Sequence, residues 1–206
     1  MTASRIEHDF LGERAIPADA YYGIQTLRAL ENFHITGIPL KAEPLFVQAL
    51  AYVKKGAALA NRDLGVLDAT LAGYIAQACD RVTTGALDNQ FLTDMIQGGA
   101  GTSVNMNANE VIANVALELM GKRKGEYAFC HPNNHVNCSQ STNDAYPTAF
   151  RIALNNKLVG YSQALGELAD AFAQKGEEFQ NVLKMGRTQM QDAVPMSMGD
   201  EFKAFA

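Results

Sequence analysis

The chain has 206 residues, of which 48% are hydrophobic and 19% are charged, so it can bury a sizeable core as one large domain or two small ones. Its formal charge of −5, without a basic run, argues against nucleic acid and anionic membrane as partners, and no apolar stretch approaches membrane-spanning length. Three cysteines are too few for a disulfide framework, which indicates a reducing compartment and a cytoplasmic protein.

The first 40 residues are predicted to be irregular with short strands, and helices are predicted to dominate the rest. A short helix is expected after the aromatic turn Tyr21–Gly23. Apolar residues at helical spacing predict further helices over 43–61 and 66–85.

The helix predicted over 66–85 carries clear boundary signals. Asp68 is a suitable N-cap, and Gly85 is a suitable stop. Cys79 lies on the apolar stripe of this helix, so its expected role is that of a buried structural thiol.

Residues 97–105 read Gln-Gly-Gly-Ala-Gly-Thr-Ser-Val-Asn. Because glycine adopts backbone angles that other residues avoid, such a loop can bring N–H groups close to a ligand. The lysine of the phosphate-binding loop is missing, and no clear strand precedes the segment as in the Rossmann fingerprint. A flexible surface loop is an equal alternative. A helix over Glu110–Leu119, ended by Gly121, is expected to follow.

The stretch from His131 to Pro147 holds the densest run of small hydrogen-bonding side chains in the chain. Ser141 and Asp144 have capping-box spacing, and Pro147 is tolerated in a first helical turn. A helix that begins here presents free N–H groups and the positive end of its dipole, which favours a carboxylate ligand. A plain N-cap without a ligand is the other interpretation.

A long helix is predicted after Pro147. Its apolar positions alternate by four and three, with one skip, through Leu154, Leu158, Tyr161, Leu165, Leu168, Phe172, Phe179 and Leu183. This coiled-coil-like stripe predicts one helix of about 33 residues, or about 50 Å. A helix of this length needs partner helices, from the same chain or from other subunits.

The segment Gly186–Asp192 is polar, and an apolar helical pattern follows it up to Ala206. Because that pattern reaches the last residue without a cap or a polar tail, the chain is expected to be a fragment of a longer polypeptide. Together with Gly98–Asn107 and His131–Asp144, this is the third polar segment that interrupts helical structure. The sequence alone does not bring the three segments together.

Two other kinds of site can be tested on Cys130, His131, His135 and Cys138. These residue types can bind zinc, but their spacing matches the usual zinc motifs poorly. The side chains of the adjacent Cys130 and His131 point in divergent directions, and Pro132 restricts the turn. Cys138 and His135 lie three residues apart, a separation that does not by itself give the geometry of a nucleophile and its base. The sequence contains no Gly-x-Ser-x-Gly elbow for a nucleophilic serine. No metal ligand is therefore assigned.

Three segments carry a specific resemblance to a known family: Gly99–Glu110, His131–Asp144 and Gly186–Pro195. Asp9–Gly12 and Tyr21–Ala29 agree with it. On these motifs, which together cover nearly the whole chain, the sequence resembles the fumarase/aspartase superfamily. Within that superfamily it is most similar to the aspartate ammonia-lyase branch.

The resemblance implies a mainly α-helical fold. A small, mixed but mostly helical N-terminal domain is expected over 1–140, and the truncated beginning of a central long-helix bundle domain over 141–206. The family implies a homotetramer with a core of twenty helices, in which three subunits form each active site. The implied reaction is reversible anti elimination of ammonia from L-aspartate to give fumarate, through an aci-carboxylate dianion. No cofactor is implied, and activation by a divalent cation stays open.

The resemblance also implies residues for one end of the substrate. Thr102, Ser141 and Thr142 would hold the β-carboxylate and stabilise the charge that develops there. Asn143, with Thr102, would face the leaving amine. Donors placed where charge accumulates lower the barrier of such a reaction.

The other end of the substrate would be held by the third segment. By the same resemblance, Thr188 would bind the α-carboxylate and Gln189 would lie beside the amine. His131 and Asn133 resemble the peripheral anion site of fumarases, although Asn134 stands where fumarases commonly have Asp.

The catalytic base implied by the resemblance is a serine in a mobile Gly-Ser-Ser-x-Met-Pro-x-Lys-x-Asn loop. This motif does not occur in the sequence, so the base is expected beyond residue 206 and the chain alone is expected to be inactive. A class II fumarate hydratase is the alternative enzyme. Fumarases usually carry His where this chain has Gln189. They usually carry Gly-Thr-Gln-Ser where this chain has Thr102 followed by Ser103–Val104. Both differences favour aspartase. A non-catalytic helical assembly scaffold is the alternative outside enzymes.

Overall fold

A computed structural model of the chain describes residues 3–96 and 99–206, which form two compact units divided between Leu154 and Asn155. The elements in chain order are β1 (Ser4–Asp9), β2 (Gly12–Pro17), α1 (Ile24–Asn32), α2 (Pro44–Asp63), α3 (Ala69–Thr83), α4 (Thr102–Leu119), α5 (Thr142–Glu178), β3 (Leu183–Thr188), β4 (Gln191–Ser197) and α6 (Met198–Lys203). Short helical turns lie at Leu40–Ala42, Asp88–Gln90 and Pro132–Val136, the last of them π-helical. The mainly α-helical fold class is confirmed, and the division at residue 140 stays a prediction.

The first unit begins with a hairpin in which β1 and β2 pair antiparallel, from Ser4 opposite Pro17 to Asp9 opposite Gly12. The hairpin supplies the short strands expected in the first 40 residues. The helix α1 follows the aromatic turn, as predicted. Its start is held by buried carboxylates from other elements rather than by its own N-cap residue, Gly23, which makes no side-chain cap.

Three helices, α2, α3 and α4, build the core of the first unit. The two helices predicted from apolar spacing are confirmed as α2 and α3. Asp68 caps α3 by accepting the N–H of Leu71 at 2.9 Å, and the side chain of Cys79 is fully buried. Burial raises the pKa of the Cys79 thiol to about 12, as expected for a structural thiol.

The helix α4 begins earlier than its sequence predicted. It starts at Thr102 rather than at Glu110, directly after Gly101, which has a φ of 87°. The asparagines that lower helix propensity here are buried, and their side-chain N–H groups find acceptors inside the unit. Asn107, for example, donates to the Gln90 carbonyl and also accepts from the N–H of Leu92. Tertiary hydrogen bonds therefore override local propensity. Of the glycine-rich segment, Gln97 and Gly98 lie outside the described residues.

The helix α5 begins at Thr142, directly after Ser141, where the capping-box spacing predicted a helix start. The carbonyl of Ser141 accepts the N–H of Ala145 at 3.0 Å, and the Ser141 hydroxyl accepts the N–H of Asn143 at 3.1 Å, so Ser141 caps the helix. Pro147 lies inside the helix, in the second turn instead of the first. Because proline has no N–H, it cannot donate to the carbonyl of Asn143.

The predicted C-terminal end of the long helix is wrong. The helix continues through Gly176 and ends at Glu178, so Phe179 and Leu183 lie outside it, and Leu183 begins β3. The stripe positions inside the helix from Leu154 to Leu168 are 43–60% exposed. The helix thus presents an uncovered apolar stripe, as its sequence predicted.

The second unit contains a hairpin that the sequence did not reveal. β3 and β4 pair antiparallel from Leu183 opposite Ser197 to Thr188 opposite Gln191, with an irregularity between Met185 and Arg187. The apolar pattern near the end forms only the six-residue helix α6, which Ser197 caps by accepting the N–H of Asp200.

No helix within residues 3–96 and 99–206 combines the length and the apolarity needed to cross a membrane.

The turn before α4 yields a test of this packing. A Cβ added at Gly101 would overlap the ring of Tyr146, and the substituted residue would have to keep the backbone φ of 87°. A residue substituted at Gly121 would have to keep a similar backbone φ of 71°, but its Cβ would meet open space. Gly121→Ala should therefore cost about 1 kcal/mol of stability, and Gly101→Ala about 1–3 kcal/mol more because Tyr146 must move. Thermal unfolding of the two variants measures the difference, and equal losses would contradict this packing.

Candidate functional site

The starts of α4 and α5 meet in the first unit. The side-chain N–H of Asn105, in the first turn of α4, donates to the hydroxyl of Thr142 at 3.2 Å. One turn along α5, the ring of Tyr146 packs on the backbone of Gly101. Two of the three predicted ligand segments are thereby brought together, and the positive ends of both helix dipoles lie in one region.

The hydroxyls of the two segments differ in their hydrogen bonds. Ser141 and Thr142 both act as acceptors, from the N–H of Asn143 and from the side chain of Asn105, so their O–H groups remain to donate to a ligand. Thr102 instead donates to the carbonyl of Gly99 at 3.0 Å. The side chains of Thr102, Ser141 and Asn143 are exposed and Thr142 is half-buried, so a small molecule can reach all four.

A fully buried lysine lies behind this region. Lys54 of α2 donates to the side-chain oxygens of Asn105 at 2.6 Å, Asn137 at 2.8 Å and Gln140 at 3.0 Å. Within the described residues, these three amide oxygens are its hydrogen-bond partners. Burial lowers the pKa of Lys54 to about 7, because an ammonium inside the protein loses its hydration.

The amides around Lys54 also bond to one another and shape the backbone before α5. The side-chain oxygen of Asn137 accepts from Asn105 at 3.0 Å and from Asn109 at 3.2 Å, besides Lys54. Asn137 donates to the carbonyl of Gln140, whose own side chain donates to the carbonyl of Val136. The path of residues 136–140, which leads into Ser141, is thus fixed by these bonds.

A second buried charge, Glu110 of α4, organises α1. Its carboxylate accepts the backbone N–H groups of Gly23, Gln25 and Thr26 and the hydroxyl of Thr26, at 2.6–3.0 Å. Burial raises the pKa of Glu110 to about 7, and the four donors oppose that rise. Beside it, Glu7 accepts the N–H of Ile24. Glu110, part of a motif that carries the family resemblance, therefore caps α1.

The residues of the predicted peripheral anion site lie on the π-helical turn. Nδ1 of His131 accepts the N–H groups of Asn133 and Asn134 at 3.1 and 3.3 Å, and Nδ1 of His135 accepts the N–H of His131 at 2.9 Å. The proton of each neutral ring is therefore on Nε2. Burial lowers the pKa of both histidines, and the proximity of His135 lowers that of His131 further. His131, Asn134, His135 and Tyr127 line an open cleft of roughly 630 Å³.

The zinc alternative finds no support in the part of the chain that the structure describes, where no three His, Cys, Asp or Glu side chains are grouped to hold a metal ion. Cys130 is fully buried, and burial raises the pKa of its thiol to about 12. Cys138 contacts the hydroxyl of Ser139 at 3.7 Å, while Nδ1 of His135 is taken by the backbone of His131. A Cys138–His135 pair, which the spacing already disfavoured, does not form through that nitrogen.

Thr188 and Gln189 lie at the tip of the β3–β4 hairpin, in the second unit, and both are exposed. Gln189 and Met190 have φ values of 48° and 62°, the signs of a type I′ turn, which non-glycine residues rarely adopt. The flanking Arg187 and Asp192 form an ion pair at 3.2 Å. The structure brings together Thr102 and the segment 141–143 within the first unit, and Thr188 and Gln189 belong to the second unit.

Sequence reasoning missed Lys54, Asn137 and Gln140. A signal was present, because Lys54 stands on the buried face of α2, four residues after Leu50 and four before Ala58, where an apolar residue belongs. A lysine in such a position is fully buried only when polar partners surround it. Nothing in the spacing along the chain identifies those partners.

The lowered pKa of Lys54 makes a testable contribution to stability. Between its folded pKa of about 7 and the ordinary value of 10.5, the unfolded chain binds more protons than the folded one. The folded protein should therefore gain stability from Lys54 as pH rises through this range, by at most about 1.4 kcal/mol per pH unit. The stability of the native protein minus that of Lys54→Met should increase from pH 7 to pH 10, as measured by chemical denaturation.

The matched control is Lys55→Met on the same helix. Lys55 is partly exposed, and its hydrogen bond to Asp80 raises its pKa, so its removal should not reproduce the increase. Parallel stability curves for the native protein and Lys54→Met would contradict the buried-charge assignment.

Comparisons with known proteins identify the family to which the chain is similar. The family described as Lyase matches residues 12–206. The chain is 60% identical to the aspartate ammonia-lyase of Pseudomonas aeruginosa, an alignment that covers 100% of this chain and 44% of that protein. It is 55% identical to a fumarate lyase:delta crystallin from Brucella melitensis, with a TM-score of 0.87 over 98% of this chain and 47% of that one.

A class II fumarase from Schistosoma mansoni is 40% identical, with a TM-score of 0.83 over 98% of this chain and 42% of the fumarase. The chain spans less than half the length of the curated relatives that it matches. Because the family matches nearly every residue, from the first hairpin to α6, the chain belongs to the lyase family of the fumarase/aspartase superfamily.

Proposed function

We propose that the full-length protein encoded by this gene is an aspartate ammonia-lyase, which converts L-aspartate reversibly to fumarate and ammonia. The elimination would be anti and would pass through an aci-carboxylate dianion. The observation that carries the proposal is the hydrogen bond from Asn105 to Thr142, which joins two polar helix starts. Relatives named aspartate ammonia-lyase, at 55–60% identity, support the choice of reaction.

The β-carboxylate would bind where α4 and α5 begin. Ser141 and Thr142 already accept hydrogen bonds, so each has an O–H to donate to a carboxylate oxygen. Thr102 would exchange its bond to the Gly99 carbonyl for one to the substrate. The helix dipoles favour the second negative charge that appears on this carboxylate in the dianion.

The remaining roles complete a dicarboxylate site. Asn143, exposed in the first turn of α5, would face the amine together with Thr102. Thr188 would bind the α-carboxylate and Gln189 would lie beside the amine, both from an exposed hairpin tip. We propose no cofactor for this reaction, because hydroxyl, amide and backbone donors meet the charge of the intermediate.

A second, peripheral anion site is proposed at His131 and Asn133. The fixed tautomers of His131 and His135 carry a proton on Nε2, which can donate to an anion. Asn134, in place of the aspartate common in fumarases, removes a negative charge from the cleft that it lines.

A cytoplasmic homotetramer, with each active site shared by three subunits, is also part of the proposal. The exposed apolar stripe of α5 supports it, since Leu158, Tyr161, Leu165 and Leu168 are 45–60% exposed. Apolar surface repeated along a helix is the pattern that partner helices cover in a bundle.

Deamination should be measured directly on the full-length protein, with L-aspartate as substrate and fumarate absorbance as the signal. Combining Thr102→Val, Ser141→Ala and Thr188→Val should reduce kcat/KM by at least about 100-fold, because donors to the developing charge are lost. The control Thr83→Val/Thr84→Val removes hydroxyls that donate to carbonyls of α3, of which the Thr84 hydroxyl also accepts the N–H of Ala86, and it should leave kcat/KM nearly unchanged. A nearly silent triple variant would favour the scaffold alternative.

The same protein should be assayed with L-malate to separate the two lyase reactions. We expect deamination of aspartate to exceed dehydration of malate, because Gln189 and Ser103–Val104 stand where fumarases usually have other residues. Faster turnover of malate would identify the protein as a fumarase.

The 206-residue chain alone should show no turnover of L-aspartate. The proposed serine base belongs to a loop motif that this sequence does not contain. Fumarate formation by the isolated chain at a rate near that of the full-length protein would refute this expectation and place the base within these residues.

A further inference from the structure

We propose that Lys54 is a positioning residue of the lyase site, which orients the Asn105 amide so that the Thr142 hydroxyl is left free to donate to the substrate carboxylate. This inference rests on the proposed function and deepens it. Lys54 itself is fully buried and acts through Asn105, without contact to the substrate.

The hydrogen-bond chemistry fixes the direction of the network. A lysine ammonium only donates, so the atom of Asn105 at 2.6 Å from Nζ must be the amide oxygen. The amide nitrogen of Asn105 then points the other way, where it donates to Asn137 at 3.0 Å and to Thr142 at 3.2 Å. The orientation of the Asn105 amide is thus held from both sides, by the Lys54 ammonium at its oxygen and by the Asn137 oxygen at its nitrogen.

The orientation determines what Thr142 can do. A hydroxyl has one hydrogen to donate, and Thr142 keeps it because Asn105 approaches as a donor. If the amide turned over, its oxygen would face Thr142 and capture that hydrogen. Thr142 would then present lone pairs to a carboxylate, which repel it.

The same ammonium holds the backbone that carries the site. Its other two acceptors, Asn137 and Gln140, lie in the segment that leads into Ser141. Three N–H groups meet three oxygens, so the ammonium satisfies all of them, whereas a neutral amine would have only two hydrogens to donate. The first turn of α4 and the approach to α5 are therefore tied to one point on α2.

A double-mutant cycle on the full-length protein tests this inference. Lys54→Met and Thr142→Val should each reduce kcat/KM for L-aspartate by roughly 10- to 100-fold, the effect of a hydrogen bond to a charged group. If Lys54 acts through Thr142, the double variant should be little worse than Thr142→Val alone. Losses that multiply would overturn the proposal, since independent structural damage gives that result.

Two further variants keep the test decisive if Lys54→Met does not fold. Asn105→Asp keeps the bond to Lys54 but turns an acceptor toward Thr142, so it should cause a similar loss that again disappears in a Thr142→Val background. Val47→Ala is the control, because it opens a buried apolar position on the same helix and its effect should multiply with that of Thr142→Val.

Binding separates this inference from the proposed function. The affinity of the native protein for succinate, an unreactive four-carbon dicarboxylate, should be measured by calorimetry beside turnover. A native protein that neither turns over L-aspartate nor binds succinate overturns the proposed function, and this inference with it. A native protein that does both, with losses that multiply in the cycle, overturns the role of Lys54 alone.

Discussion

The constraint on which the first unit depends is a buried positive charge that neutral dipoles must satisfy. Lys54 is fully enclosed, and the oxygens that meet it belong to three amide side chains. A buried ammonium without hydration is tolerated only with such partners. Asn105 and the segment 137–140, which are distant in the chain, must therefore both place amide oxygens beside Lys54. This requirement brings the start of α4 beside the approach to α5, and the polar site forms where they meet.

A buried carboxylate works in the same way further along α4. Glu110 is enclosed by backbone N–H groups and by the Thr26 hydroxyl, which fix the start of α1. Gly23 is required beside it, because a Cβ there would come within 3 Å of Glu7, Tyr127 and Glu110. Each charge is met by oriented dipoles, and this makes both environments sensitive to small shifts of the backbone.

The sequence predicted those features that depend on local rules. The cap by Asp68, the burial of Cys79 and the exposed stripe of α5 follow from side-chain chemistry and helical periodicity, and all three are confirmed. The start of α4 was misplaced because glycine and asparagine lower helix propensity, whereas buried asparagines gain amide partners only after folding.

The β3–β4 hairpin escaped prediction for a related reason. Its turn places Gln189 and Met190 at positive φ, although neither residue signals a turn of this type. Of the candidate site, the hydroxyl and amide residues were recognised from motifs, and the convergence of Thr102 with 141–143 required the structure. Lys54 was visible only as an exception to an apolar pattern, because its three partners come from positions 51, 83 and 86 residues away.

The chain of hydrogen bonds from Lys54 through Asn105 to Thr142 has an electrostatic consequence beyond geometry. A cation bound to the oxygen of an amide draws electron density from its nitrogen, and this strengthens the N–H as a donor. A stronger donor on the Thr142 oxygen in turn makes its O–H more acidic, so it stabilises an anion more effectively. When Lys54 is protonated, the charge of a residue that does not contact the substrate thereby acts on the bound carboxylate, while the small Thr142 hydroxyl in contact leaves room for a four-carbon acid.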